Sequence, residues 1–469
     1  MNPKTMTTLQ QAAGWMAGAH IAGDAARAFS RVHTDSRTVE PGDLFVALTG
    51  ERFDAHDFLA DVVARGAAAV LISRESAIGS LDVPAIIVPD TRIGLGELGA
   101  GWRRQFTPPT VAVTGSNGKT TVKEMIAAIF AAAVGEGDRL ATGGNLNNDI
   151  GLPLTVLRLR AHHKLAVLEL GMNHPGETVY LAGIAQPTVA VITNAQREHQ
   201  EFMVSVEAVA HEHASAIAAL PADGVAVFPV DGESGGQHAP IWRQAAAGRR
   251  VLSFGTDVSA DVRATISLDD GVQVLHVTAP GLAFDLRLQL LGAHNVRNAL
   301  AATSCALAAG VEVAAIQAGI AGFTAVKGRL QVKHTPGGTV VIDDTYNANP
   351  DSMRAAIDVL AGFAAPRLLV LGDMGEVGDQ GPAFHTEIGA YARTRGIEAM
   401  WATGELAQHA VQAYGSTARH FASVEDLTQA LRQDNEGAVA GAAAVLVKGS
   451  RFMRMERIVD ALVATPSAR

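Results

Sequence analysis

Residues 110–121 read Thr-Val-Ala-Val-Thr-Gly-Ser-Asn-Gly-Lys-Thr-Thr, and no other stretch restricts the fold as much. Val111 and Val113 alternate as in a buried strand. Val122, Met125, Ile126, Ile129 and Phe130 then recur at the spacing of one helix face. A strand, a glycine loop and a helix in that order require a parallel α/β sheet with the loop at its carboxyl edge. Gly115 and Gly118 allow the backbone to turn tightly, so that the amides of Thr114, Gly115, Ser116, Asn117 and Gly118 can face phosphate oxygens. Lys119 supplies a point charge, and the Thr120 hydroxyl is suited to Mg²⁺. The position that usually carries the first glycine of such a loop is Val113, so the loop is a variant form. A nucleoside triphosphate is the expected ligand.

Chain length and charge narrow the setting. At 469 residues the chain exceeds a single core and predicts two to four domains. The 37 Lys and Arg against 47 Asp and Glu give a net charge of −10, with no basic run that could track nucleic acid. A polyphosphate must then be held by a few placed cations. The N-terminus has no basic segment leading into an apolar core, and no uninterrupted apolar window is long enough to span a bilayer, so a cytoplasmic protein is expected. The single cysteine, Cys305, sits among Ala302, Ala306 and Leu307 and reads as helix packing.

Short apolar runs at 43–48, 67–72 and 85–88 alternate with helical stretches before Pro108-Pro109, which marks a boundary. Runs at 165–170 and 189–193 continue a parallel sheet beyond the loop. Residues 251–290 alternate more like antiparallel hairpins, and an Ala-rich helix opens near 293. Further runs at 339–343, 367–371 and 443–447 predict a second nucleotide-fold-like α/β unit. The expected division is 1–107, 108–330 and 331–469. The 231–236 segment reads as at most a flexible loop.

Several polar residues fall at predicted strand ends, where α/β sheets bind ligands. Glu169 ends an apolar strand and can complete a Mg²⁺ site with Thr120, or else face solvent. His199 lies in a polar loop after the next strand, as a candidate ligand or phosphate contact. His211 and His213 are two apart on a predicted helix and so make a poor metal pair. Asn145 and Asn147 follow Gly143-Gly144 and can grip a polar ligand or simply build a turn. In the cluster 343–349, one Asp can hold a ribose hydroxyl or cap the helix after Pro350.

Thr114-Gly-Ser-Asn-Gly-Lys-Thr120, Glu169-Leu-Gly171, His294-Asn295 with Asn298, Gly328-Arg329 and Asp343-Asp-Thr-Tyr-Asn-Ala-Asn349 together resemble, in order along the chain, the ATP-dependent Mur ligase family. Thr34-Asp-Ser-Arg37, Gly50-Glu-Arg-Phe-Asp-Ala-His-Asp57, Gly144-Asn-Leu-Asn-Asn-Asp-Ile-Gly151 and Gly372-Asp-Met-Gly-Glu376 narrow the likeness to the branch that joins D-alanyl-D-alanine to UDP-N-acetylmuramoyl-tripeptide. The resemblance implies three α/β domains: one for the UDP-sugar end, a central ATPase and a C-terminal Rossmann-like domain that brings the dipeptide. It also implies ATP and Mg²⁺ as cofactors and a monomeric enzyme.

By the same resemblance Lys119 steadies the β- and γ-phosphates, Thr120 and Glu169 hold one Mg²⁺, and His199 stands near a second. Asn295 and Asn298 match adenine-side contacts, and Arg329 and Asp344 reach phosphate and ribose. Ser36 and Arg37 match the uridine pocket; Asn145, Asn147 and Asn349 are assigned to substrate, and Arg329 joins Lys119, Glu169 and His199 as catalytic. Many members carry a carbamylated lysine in the helix after the His199 loop, whereas this chain reads Val209-Ala-His-Glu-His-Ala-Ser215. The second metal is then placed without that bridge, or Glu212 or a histidine substitutes; the first is the expectation, since a helix histidine suits Mg²⁺ poorly. The competing readings are another amide-forming relative such as a folylpolyglutamate synthase, an ATP-binding protein without ligase chemistry, and a P-loop motor or GTPase, for which no switch features are found.

Overall fold

The computed structural model describes residues 5–79, 81–232, 235–270, 272–434 and 441–464. Apolar runs flanked by turns become strands buried on both faces, which is why Thr110–Thr114, Leu165–Glu169 and Val189–Ile192 have no exposed residue. Among the described residues the strands form three large sheets and one small antiparallel pair.

The first large sheet runs His20–Ala22, Ala85–Ile87, Ala69–Ile72, Asp43–Val46, Arg31–His33, parallel except for its first strand. The second is built around Thr110–Thr114, which lies between Val189–Ile192 and Leu165–Glu169 and is parallel to both. Outward from there come Val225–Pro229, Arg250–Gly255 and the antiparallel trio Val262–Asp269, Val272–Ala279 and Leu282–Leu288. The third sheet is Gln331–His334, Val340–Asp344, Ala444–Lys448, Arg367–Leu371, Ala399–Thr403, Ala418–Phe421, parallel apart from its first strand.

The antiparallel reading of 251–290 needs correction at its start. Arg250–Gly255 and the entry of Val262–Asp269 extend the parallel sheet, and only the later pairs are hairpins. Apolar alternation cannot separate the two cases, because it reports burial and not strand direction. Within 231–236, Asp231 ties the described part of the loop to its neighbours. Asp231 is buried and accepts the Thr256 amide (2.8 Å), the Thr256 hydroxyl (3.0 Å) and the Asp257 amide (3.1 Å), so it anchors the next strand's exit; residues 233 and 234 lie outside the described set. Cys305 is fully buried in the helix Ala293–Ala308, and burial holds its thiol far above the ordinary value. The helix face of Val122, Met125, Ile126, Ile129 and Phe130 is likewise fully buried.

The helix Thr91–Arg103 couples the first two sheets. Leu95, Leu98 and Trp102 enter one apolar cluster with Leu44, Val46 and Leu71 on one side and Leu152, Leu168 and Ile184 on the other. Glycines allow this close approach: a Cβ on Gly99 would lie 3.2 Å from the Pro153 Cα and 3.4 Å from Ile184 Cγ2. Gly99→Val should therefore overpack the junction and cost about 1–3 kcal/mol, seen as a lower urea midpoint without loss of secondary structure.

Candidate active site

The phosphate loop occupies the carboxyl edge of the central sheet. Its glycines are sterically required: Gly115 has φ 128° and Gly118 φ 83°, and added Cβ atoms would fall 2.1 Å from Thr193 Oγ1 and 2.5 Å from Asn298 Oδ1. The segment after Val189–Ile192 braces the loop. Asn194 accepts the Ser116 amide on its carbonyl (3.1 Å) and the Asn117 amide on its side chain (2.8 Å), while Thr193 Oγ1 and Asn194 Nδ2 donate to the Asn117 carbonyl. The helix Lys119–Val134 begins directly under it, so its first-turn amides, which have no intrahelical acceptor, are available to an anion.

Lys119 Nζ donates to the Gly115 and Ser116 carbonyls and lies 3.3 Å from Glu198 Oε2. Thr120 Oγ1 is 3.2 Å from Glu169 Oε1, which also accepts from Asn147 Nδ2 at 2.8 Å. Glu169 is 2 % exposed, so the solvent-facing reading is excluded. Its second oxygen, Oε2, is buried and has no partner in the protein, which fits a cation beside Thr120. Arg329 Nη2 reaches Thr120 Oγ1 at 3.2 Å and its guanidinium stacks 4.2 Å from the Tyr346 ring. Its Nε is buried without a protein partner, a donor suited to an anion. The structure thus sets a carboxylate oxygen and a guanidinium nitrogen each 3.2 Å from one hydroxyl, groups suited to a metal–phosphate pair.

A cavity of about 990 Å³ lies over these groups. From the central sheet it is lined by the loop, Asn145, Asn147, Glu169, Glu198 and His199; His294, Asn295 and Asn298 line it from the helix Ala293–Ala308, and Asp344, Asn349 and Lys448 from the third sheet. Asn298 Nδ2 donates to Asn295 Oδ1 (3.0 Å), which fixes the amide under Gly118. Asp344 takes the Leu330 amide (3.1 Å) and pairs with the buried Lys448, whose ammonium also donates to the Asn347 carbonyl (2.9 Å). Asp343 pairs with Lys333 and Thr345, away from a ligand role. The cap of the helix Pro350–Ala361 is Asn349, whose amide nitrogen also reaches Asn117 Oδ1 at 2.9 Å. Asn148, not Asn145 or Asn147, does the turn chemistry, accepting the Gly151 amide at 2.8 Å.

His199 carries φ 47°, an uncommon conformation for a non-glycine residue, and its Nδ1 lies 2.7 Å from Glu376 Oε2 without the alignment of a good hydrogen bond. Neither Glu212 nor His213 of the following helix is left for a metal. Glu212 accepts the Gly176 amide (3.0 Å) and the Thr178 amide (2.8 Å) at the start of the helix Glu177–Ala185, while His213 is fully buried and bonded at both ring nitrogens. Those two alternatives for the second metal are therefore set aside; His211 is exposed. Among the described residues no three His, Cys, Asp or Glu side chains gather as a metal cage. Ser36 and Arg37 do not line the cavity: they lie on the short helix Ser36–Thr38, with Arg37 forked onto Asp35 at 2.9 and 2.7 Å.

Glu198, Lys448 and Arg197 escape a reading of the sequence alone. Arg197 grips Asp351 (2.6 Å) and Glu387 (2.7 Å) across to the third sheet's helices. Glu198 and Lys448 had no pattern to flag them, but His213 did: it falls on the apolar helix face of Val206, Val209, Ala210, Ala214 and Ile217, where a histidine needs buried partners. Although burial opposes ionisation of Glu198, Lys119 and His213 hold its carboxyl down to about 2. His294 is half-buried where it lines the cavity, and desolvation lowers its imidazole to about 4.

A phosphate loop at the carboxyl edge of a parallel sheet, with an unpartnered buried carboxylate oxygen and guanidinium beside it, defines a nucleoside-triphosphate-binding α/β enzyme. Family models described as Mur ligase family, catalytic domain (residues 28–103), Mur ligase middle domain (113–306) and Mur ligase, glutamate ligase domain (328–451) match in that order. The chain is 39% identical, over 96% of both sequences, to the UDP-N-acetylmuramoyl-tripeptide--D-alanyl-D-alanine ligase of Escherichia coli (strain K12). It superposes on a crystal structure of MurF from Acinetobacter baumannii with TM-score 0.90 at 35% identity, covering 97% of this chain and 98% of that one. MurF ligase from Thermotoga maritima in complex with ADP aligns with TM-score 0.79 at 26% identity, over 92% and 96%. The chain belongs to the Mur ligase family.

The two lowered groups set an acid response. Each favours its deprotonated form in the fold, so stability is complete above the ordinary values of 6.5 for His294 and 4.5 for Glu198 and falls as pH drops towards about 4 and about 2. The unfolding midpoint should decline in these two windows, and His294→Gln should flatten the first while leaving the second.

Proposed function

We propose that the chain joins D-alanyl-D-alanine to UDP-N-acetylmuramoyl-tripeptide, driven by ATP, to give the UDP-muramoyl-pentapeptide precursor of peptidoglycan. The observation that carries this reading is the meeting of two sheets over one cavity: the phosphate loop and Glu169 from one, Asp344, Asn349 and Lys448 from the other. Two substrates brought by different layers must converge there. The reaction is assigned to the cytoplasm and to a monomer, with 1–107 taking the UDP end, 108–330 the ATP and 331–469 the dipeptide.

A carboxylate is a poor electrophile, so it must first be activated. The tripeptide's terminal carboxylate oxygen forms a bond to the γ-phosphorus of ATP while the bond to the β-phosphate oxygen breaks and ADP leaves. The dipeptide amine then attacks the acyl carbon, and phosphate departs from the tetrahedral intermediate as the amine loses its proton. Two anions have to approach each other in the first step, so charge neutralisation and positioning supply most of the acceleration. Lys119 and the first-turn amides of its helix face the phosphates. Arg329, stacked on Tyr346, offers its free Nε to the same anion. Thr120 and Glu169 would hold Mg²⁺, which when bound withdraws charge from the phosphate oxygens. Asn147 keeps the Glu169 carboxylate turned so that Oε2 remains the free oxygen. His199 and Asn295, Asn298 and Asp344 are assigned to the second cation, adenine and ribose sides, and Ser36 and Arg37 to the uridine end.

Purified protein supplied with ATP and Mg²⁺ should release ADP only when both D-alanyl-D-alanine and UDP-muramoyl-tripeptide are present. Equal ADP release without the dipeptide would refute the ligase reading. Lys119→Ala should abolish product formation and leave binding of the UDP-tripeptide, measured by calorimetry, near the wild-type value.

A further inference from the structure

The buried pair Glu198 and His213 plays no part in the steps above. His213 is fully buried, and both ring nitrogens are engaged: Nδ1 lies 2.9 Å from Thr114 Oγ1 and Nε2 lies 2.9 Å from Glu198 Oε1. With the threonine hydroxyl donating to Nδ1, Nε2–H is the donor to the carboxylate. The other carboxylate oxygen is 3.3 Å from Lys119 Nζ. A continuous chain of contacts therefore runs from Thr114, which leads into the phosphate loop, through the helix Val206–Ala218, and back to the lysine at the loop's end.

Folding alone gives no reason for this arrangement. An apolar pair would fill the same space without the cost of desolvating a carboxylate. The charge of Glu198 instead meets Lys119, a flexible cation at the phosphate loop. The backbone is also bent to present it. With His199 at φ 47°, two consecutive side chains, Glu198 and His199, line the same cavity. Lys119 is otherwise a four-carbon chain with free rotation, held only by two loop carbonyls.

We propose that Glu198, braced by His213 against Thr114, is a positioning residue that holds the Lys119 ammonium at the phosphate loop until phosphate oxygens replace the carboxylate. The side chain is thereby ordered before the nucleotide arrives, and its exchange of partners needs only a short movement. The proposal builds on the ligase reading for its kinetic consequence, but its geometric core concerns Lys119 alone.

The test uses the full-length chain with Glu198→Gln, which keeps an acceptor for His213 and removes the charge from Lys119. The kcat for dipeptide-dependent ADP release should fall at least about tenfold, with ADP affinity near wild type. Lys119 should also react several-fold faster with an amine-specific acylating label, quantified by mass spectrometry, while buried Lys123 stays unlabelled. A purely structural Glu198 would leave both kcat and the labelling of the folded protein unchanged. His213→Gln serves as the second variant, and the double variant should lose no more kcat than the worse single, because both act through one chain of contacts. Wild-type kcat and labelling in Glu198→Gln, or multiplicative losses in the double variant, would overturn the proposal. Wild-type protein that releases no dipeptide-dependent ADP would instead refute the ligase reading, and the labelling result would still decide the role of Glu198.

Discussion

The register of three neighbouring strands governs the rest of the site. Thr110–Thr114 pairs in parallel with Leu165–Glu169 and Val189–Ile192, with Glu169 beside Val113 and Ile192 beside Thr114. The three strands therefore end at one level, and whatever follows each of them opens onto the same edge. A shift by one residue would turn Glu169 to the opposite face of the sheet and remove the carboxylate from Thr120. Buried hydrophobic strands tolerate no such shift, so the apolar residues that fill the core also aim the polar ones.

Electrostatics at that edge mix both signs of charge. Glu169, Glu198, Lys119 and Arg329 lie within one cavity in a protein whose overall charge is −10. An anionic substrate approaches a negative protein, so attraction has to come from local donors. With the Ser116 and Asn117 amides taken up by Asn194, the helix start, Lys119 and the stacked Arg329 guanidinium supply it. The loop is kept rigid from outside, since the 193–196 segment and Asn298 occupy the space that side chains at Gly115 and Gly118 would need.

Much of this was legible in the sequence, because strand, glycine loop and helix carry their own periodicities. The strands at 165–169, 189–192, 340–344 and 367–371 announced themselves by uninterrupted apolar runs. Glu169 was identifiable because a charge closes such a run. What stayed hidden depended on contacts between distant segments: Glu198 gains meaning only from Lys119, 79 residues away, and Lys448 only from Asp344, 104 residues away. Direction was hidden too, since the alternation in 251–290 describes burial equally well for parallel and antiparallel neighbours. The helix histidine His213 was visible as an oddity on an apolar face, yet its two partners lie on other elements.

The glycine-bearing helix Thr91–Arg103 has a mechanical consequence. Leu95 and Leu98 are fully buried in a cluster shared by the first and second sheets, and exposing each would cost about 1.5–3 kcal/mol. The third sheet meets the second largely through polar groups such as Asn117 with Asn349 and Arg197 with Asp351 and Glu387, and partly exposed ion pairs of that kind contribute about 0–1 kcal/mol each. The junction between the second and third sheets is thus held by weaker contacts than the junction between the first two. A ligand that bridges Asn117 and Asn349 would act as the latch of a two-part jaw.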